Sequence, residues 1–286
     1  MEICFDTSTI NALCDDPESG KLIAKIKSAH RVLLTSINVV EVVANADEQR
    51  RHLLLHCMKS LSDGLPLAMP NKIVRRATRA FAKGKKKLAI TITQDDSPLW
   101  AVVNDPSQAG TEQQAEALQW KRSLEDSFLQ SHRDARDSLR DTLSWSPQSR
   151  PRSAGMLIKS FREEGDSLYG LVKEVFRKET SQYLSRDAMW QLFKRAPEWP
   201  LFLAGWGHEI FARVLQESRY GPKGKPGTLD LWCAVYLPVC DVFVTNDNGQ
   251  HRALRLLNVL SSRIGDPPMP KTRVLKYVAF RRVLVE

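Results

Sequence analysis

Hydrophobic and polar positions alternate at the start of the chain, where Ile3 and Phe5 are interleaved with Glu2, Cys4 and Asp6. That period of two predicts a short strand, followed by a helix-like segment over residues 9–14. Residues 21–30 read as an amphipathic helix with Leu22, Ile23 and Ile26 on one side. Residues 31–35 (Arg-Val-Leu-Leu-Thr) form a short apolar strand, and Ser36 is placed to cap a helix that starts at Ile37. Strand, helix, strand, helix in this order implies parallel strands joined by crossover helices.

The pattern changes over residues 46–220, which are mostly helical by periodicity and hold one strand candidate, residues 88–93. Leu168, Leu171, Val172 and Val175 repeat at the spacing of a core-facing helix. Residues 146–153, with Pro147 and Pro151, read as a loop. Trp190, Phe193, Trp199, Phe202 and Trp206 are favoured as helix-packing aromatics over base-stacking ones, and Pro197 and Pro200 break the helices there. The α/β pattern resumes after a Gly- and Pro-rich loop, residues 221–227. Thr228 is placed to cap a helix over 229–237, with Leu229, Trp232, Cys233 and Tyr236 on its apolar side. A β-branched strand, residues 241–245, runs into Asn246-Asp247-Asn248-Gly249, and a helix follows over 252–260. The chain therefore divides into residues 1–50 and 221–286, which share one α/β pattern, and a helical insertion, residues 51–220.

Composition sharpens this picture through charge. The chain of 286 residues has 42 Lys and Arg against 33 Asp and Glu, a net charge of +9, which points to a polyanionic partner. The densest basic stretch, residues 71–90, carries Lys72, Arg75, Arg76, Arg79, Lys83, Lys85, Lys86 and Lys87 and no acidic residue, so it is the candidate for phosphate contacts. The five cysteines form no CxxC pair and mostly lie in apolar surroundings, the pattern of buried free thiols in a reducing compartment. No signal-peptide pattern and no apolar run of about 18 residues occurs, so a cytoplasmic protein without membrane contact is expected.

Four acidic residues carry the chemistry. Asp6 ends the first strand and Asp247 stands just past the strand 241–245. In an open parallel sheet, the carboxyl ends of neighbouring strands share one crevice, where ligands bind. Glu41 is flanked by two valines on each side, a poor place for a solvated charge; a local Lys or Arg partner is its plain structural explanation. Asp230 falls in the first turn of a helix, where the macrodipole favours an anion. Carboxylates that converge need a cation. An all-oxygen set selects Mg²⁺ or Mn²⁺, which activates water for attack on a phosphodiester and steadies the leaving oxygen.

Phe5-Asp6-Thr7-Ser8, Thr35 to Glu41, and Leu229 to Ala234 leading into Asp241 to Asp247 resemble the motifs of PIN-domain nucleases, the fold of VapC-like toxins. The resemblance covers about residues 1–50 and 221–286. It implies a PIN-like parallel sheet sandwiched by helices, here with a long, mostly α-helical insertion. It also implies that Asp6, Glu41, Asp230 and Asp247 bind Mg²⁺ or Mn²⁺ and carry catalysis. Thr7, Ser8 and Thr245 would orient those ligands or the phosphate, and Asp241 is read as structural. The expected activity is endoribonuclease, RNA favoured over DNA, in a toxin–antitoxin pair or in defence against phage. An antitoxin or other partner protein and a homodimer are family-level expectations. The alternatives are a DNA or structure-specific nuclease of the same chemistry, and a catalytically dead scaffold that binds nucleic acid or a partner.

Overall fold

Ile3, Cys4 and Phe5 are at most 1% exposed, so β1 (Glu2–Phe5) is covered on both faces, as a central strand of a parallel sheet must be. The computed structural model describes residues 1–85, 101–123, 126, 130, 151–164, 166–211, 228–264 and 270–285. After β1 come α1 (Thr7–Cys14), α2 (Ser19–Ala29), β2 (Arg31–Leu33) and α3 (Ser36–Val43). The helical middle comprises α4 (Glu48–Leu61), α5 (Pro70–Ala82), α6 (Ala101–Asn104), α7 (111–123), α8 (Ala154–Glu164), α9 (Asp166–Thr180), α10 (Arg186–Arg195) and α11 (Glu198–Ile210). The chain closes with α12 (Thr228–Trp232), a 3₁₀ segment Cys233–Val239, β3 (Val242–Thr245), α13 (Asn248–Ser261), β4 (Arg273–Lys276) and α14 (Tyr277–Val285).

Among the described residues, four strands form an all-parallel sheet in the order β2-β1-β3-β4. Ile3 pairs with Val32 on one side and Val242 on the other, so β1 and β3 are central although about 240 residues separate them. Asp241 accepts the Glu2 N–H at 2.8 Å and ties the starts of these two strands together. Phe5 packs edge-to-face on Phe280 of α14, with ring centroids 5.6 Å apart. Cys4 points to the opposite face and meets Cys240; burial first, and that neighbour second, push its thiol well up. All five cysteines are free thiols, and every one but Cys14 is buried.

One hydrophobic cluster runs from Ile3 to Leu284 and takes in Leu55, Ile73, Trp199 and Leu203 of the middle helices. In particular, α4 packs on α1 and α3, and α11 packs on α5, α12 and α13. The aromatic-rich stretch is core: Phe193 and Trp199 are buried, and the Trp199 indole N–H donates to Thr78 Oγ1 at 3.1 Å.

Several local expectations change. Thr35, not Ser36, caps α3, because Asn38 three residues on completes a capping box with it. The helix after β3 starts at Asn248, a turn earlier than its apolar pattern, because Asp247 caps it. Helix 229–237 tightens to 3₁₀ after Trp232, ahead of Pro238. Pro200 does not break α11; it lies in the first turn, where no N–H is required. In α9 Val172 is buried and Val175 packs partly buried against the core, as its spacing predicts; Phe176 joins them, while Leu171 is 36% exposed. Strand β4, partly exposed along its length, had no alternating signal. The strand candidate 88–93 lies outside the described residues. Among the described residues, no helix is long and apolar enough to cross a membrane.

Candidate active site

In this strand order the chain leaves β1 toward one edge of the sheet and β3 toward the other, so a topological switch point lies between them. The carboxyl ends of the two strands are pinned together there. Val244 O accepts from the Asp6 N–H and from Thr9 Oγ1, both at 2.9 Å. Asp6 follows β1 and Asp247 follows β3, so both stand at this switch point.

Both aspartates are helix N-caps. Asp6 Oδ2 accepts from the Ser8 N–H at 3.0 Å, from Ser8 Oγ, and from Thr245 Oγ1 at 3.2 Å. Asp247 Oδ1 accepts from the Gln250 N–H at 2.6 Å. The Asp247 N–H in turn donates to Ser8 Oγ and Thr245 Oγ1, at 3.2 and 3.0 Å. Ser8 and Thr245 thereby link the two acidic residues, although Asp6 is 6% exposed and Asp247 lies open to solvent.

Glu41 arrives from α3, half-buried. Its partner is not the local Lys or Arg that its setting called for but a hydroxyl: Thr7 Oγ1 donates to Oε2 at 2.5 Å. Asn38 Nδ2 donates to Thr7 Oγ1 at 3.1 Å, and the Thr35 N–H holds Asn38 Oδ1, so the capping box of α3 also orients this contact. Burial pushes Glu41 above the usual carboxylate range; the Thr7 hydroxyl opposes that, and the charge of Asp6 adds to it. The Lys121 ammonium also reaches Glu41 electrostatically and lowers it. Helix α7 brings Lys121 there: Gln114 Nε2 donates to Asn45 O at 3.1 Å, just past the end of α3, and Lys121 follows about two turns later.

Asp230 is half-buried in the first turn of α12, within 3.5 Å of Gln250 Nε2. The buried thiol of Cys233 registers three of the acidic groups at once. Burial pushes it well up first, and the charges of Asp6, Asp230 and Glu41 add in that order. The structure thus links all four predicted residues near the carboxyl ends of β1 and β3, through hydroxyls and an amide. It does not set them at ligand distance: among the described residues, no three His, Cys, Asp or Glu side chains are placed to hold a metal ion.

We compared the chain with protein-family models, with curated proteins and with solved structures, and it matches none of them. A carboxylate offers two acceptor oxygens. The protein engages Asp6 Oδ2, Glu41 Oε2 and Asp247 Oδ1; among the described residues, Asp6 Oδ1, Glu41 Oε1 and Asp247 Oδ2 make no hydrogen bond. The donor set is oxygen throughout, which in kind suits a hard divalent cation.

A cationic rim adjoins Asp247. Lys276 Nζ donates to Asn246 O at 2.7 Å. His251 is pushed down, first by burial, and the positive charges of Arg255, Lys276 and Arg252 add to this. The predicted basic segment is more divided. Arg75 and Arg79 of α5 pair with Glu179 of α9 at 3.3 and 3.5 Å, and Lys72 and Arg76 are half-buried. Lys83 and Lys85 are exposed just after α5, and Lys86 and Lys87 lie outside the described residues. Gln250 and Asn38 escaped the sequence reading, although each stands three residues after a cap, the spacing of a capping box. Lys121 left no local signal, since only the packing of α7 brings it to Glu41.

Proposed function

We propose that this protein is a PIN-like, Mg²⁺- or Mn²⁺-dependent nuclease, with RNA favoured over DNA as its substrate. The observation that carries the reading is the group of half-engaged carboxylates at the β1–β3 switch point. Asp6, Glu41 and Asp247 each have one oxygen fixed by the fold and one without a partner among the described residues, and Gln250 Nε2 approaches Asp230. Asp6, Glu41, Asp230 and Asp247 would hold the cation. A bound divalent ion supplies an activated water and charge stabilisation for phosphodiester hydrolysis.

The chain's own residues contribute orientation and charge. Ser8 and Thr245 fix the Asp6 carboxylate, and Thr7 fixes Glu41. Lys121 on one side, and Lys276, Arg252 and Arg255 on the other, favour the approach of a phosphate backbone to an otherwise acidic crevice. A role in a toxin–antitoxin pair or in defence against phage, with a partner protein or as a homodimer, belongs to the same proposal. It rests on the motif resemblance.

A second reading, a nucleic-acid-binding scaffold without catalysis, is favoured by one observation: among the described residues, no three acidic side chains stand at metal-holding distance. The two readings separate when purified protein is incubated with labelled RNA and DNA, with and without Mg²⁺ or Mn²⁺, beside Asp6→Asn. Asparagine still caps a helix, so this variant should stay folded while losing the charge. Cation-dependent cleavage in the wild type, reduced at least about 100-fold in Asp6→Asn, is the expected outcome. Binding without cleavage of either polymer would establish the scaffold instead.

A further inference from the structure

Gln250 lies in the first turn of α13 and is 0% exposed. It touches two of the four acidic residues. Its backbone N–H is capped by Asp247 Oδ1 at 2.6 Å, and its side-chain Nε2 approaches Asp230 Oδ1 at 3.5 Å. Its Oε1 is buried and, among the described residues, meets no donor. An orphaned buried acceptor is costly. Among the described residues His30 Nδ1, Glu198 Oε2, His208 Nδ1 and Asn258 Oδ1 are also unmet, and of these groups Gln250 is the one hydrogen-bonded to both Asp230 and Asp247. Turning the amide over does not help, because Oε1 would then face Asp230 Oδ1, acceptor against acceptor. The amide is thus oriented with its donor on Asp230 and its acceptor unmet, in a residue that touches two of the four acidic side chains.

We propose that Gln250 is a fifth, neutral member of the cation site, its Nε2 positioning Asp230 and its Oε1 supplying an oxygen to the divalent ion. This rests on the reading of the crevice as a cation site. A neutral oxygen is chemically apt there. Mg²⁺ and Mn²⁺ accept amide oxygens alongside carboxylates, and an amide adds a donor atom without adding another negative charge to four. It also explains why a glutamine, rather than an apolar residue, occupies a fully buried position in the first turn of α13.

The test is calorimetric titration of Mn²⁺ into the full chain, with thermal unfolding measured with and without Mn²⁺, for wild type, Gln250→Met and Gln250→Glu. Methionine matches the volume and removes the orphan, so Gln250→Met should unfold at or above the wild-type temperature yet bind Mn²⁺ about 10-fold or more weakly. Glutamate adds a charge beside Asp230. Gln250→Glu should therefore be less stable than wild type without Mn²⁺ and gain more stability than wild type when Mn²⁺ is added. Wild-type Mn²⁺ affinity in Gln250→Met, or no enlarged Mn²⁺ stabilisation in Gln250→Glu, overturns the assignment and leaves the cation site standing. A wild-type chain that binds no Mn²⁺ overturns the cation reading itself, and this inference with it.

Discussion

Glu41 sits among buried valines, half-buried itself, with the charge of Asp6 nearby. Folding raises its affinity for a proton, first through burial. Its contribution therefore favours the folded state in acid and is lost as pH rises from the usual carboxylate range through the raised value. Glu41→Gln removes that loss while keeping an oxygen for the Thr7 hydroxyl. The variant should unfold a few degrees above wild type at pH 7, with the difference closing below about pH 4. Thermal unfolding across that range checks it. A variant that is less stable at pH 7 would show that burial does not penalise this carboxylate. A residue that weakens the fold at neutral pH is the kind retained for chemistry.

Helix α5 shows how an element distributes charge that its sequence only counts. Its inward side, Ile73, Val74, Ala77 and Thr78, is buried, and Arg75 and Arg79 fall on the exposed side one turn apart. Glu179 of α9 lies across from both, so these arginines are partly neutralised and also hold α9 in place. Among the described residues of this segment, Lys83 and Lys85 are exposed cations where the helix ends. Lys83→Glu with Lys85→Glu should weaken RNA binding and flatten its salt dependence by about one unit for each phosphate that the protein no longer neutralises. Fluorescence anisotropy at several salt concentrations reads this directly. An unchanged slope would make the end of α5 a solvated face.

The whole molecule closes over β1 from its far end. Phe280 of α14 seals Phe5, and Arg281 pairs with Asp16 at 2.6 Å in the turn between α1 and α2. The last helix thereby braces the strand that delivers Asp6. Phe280→Ala should cost about 3 kcal/mol in denaturant unfolding, the usual loss for a buried phenylalanine. A loss under about 1 kcal/mol would mean that α14 does not seal the sheet.

Much of the fold was legible in the amino-acid pattern because periodicity and capping act within about four residues along the chain. The strand–helix alternation, the helical middle and the order of Asp6, Glu41, Asp230 and Asp247 all came from such local signals. Strand β4 did not, since a partly exposed edge strand lacks the alternation that betrays a buried one. The tertiary structure decided which distant residues meet: Thr7 with Glu41, Ser8 with Asp247, and Gln250 with Asp230, and it brought Lys121 within electrostatic reach of Glu41. It also showed that Asp6 and Asp247 are helix caps before they are anything else, each with one oxygen engaged by the fold. The physical reason is sequence separation. A cap is written into neighbouring residues, whereas the pairing of β1 with β3 that sets Asp6 beside Asp247 exists only once the chain between them has folded.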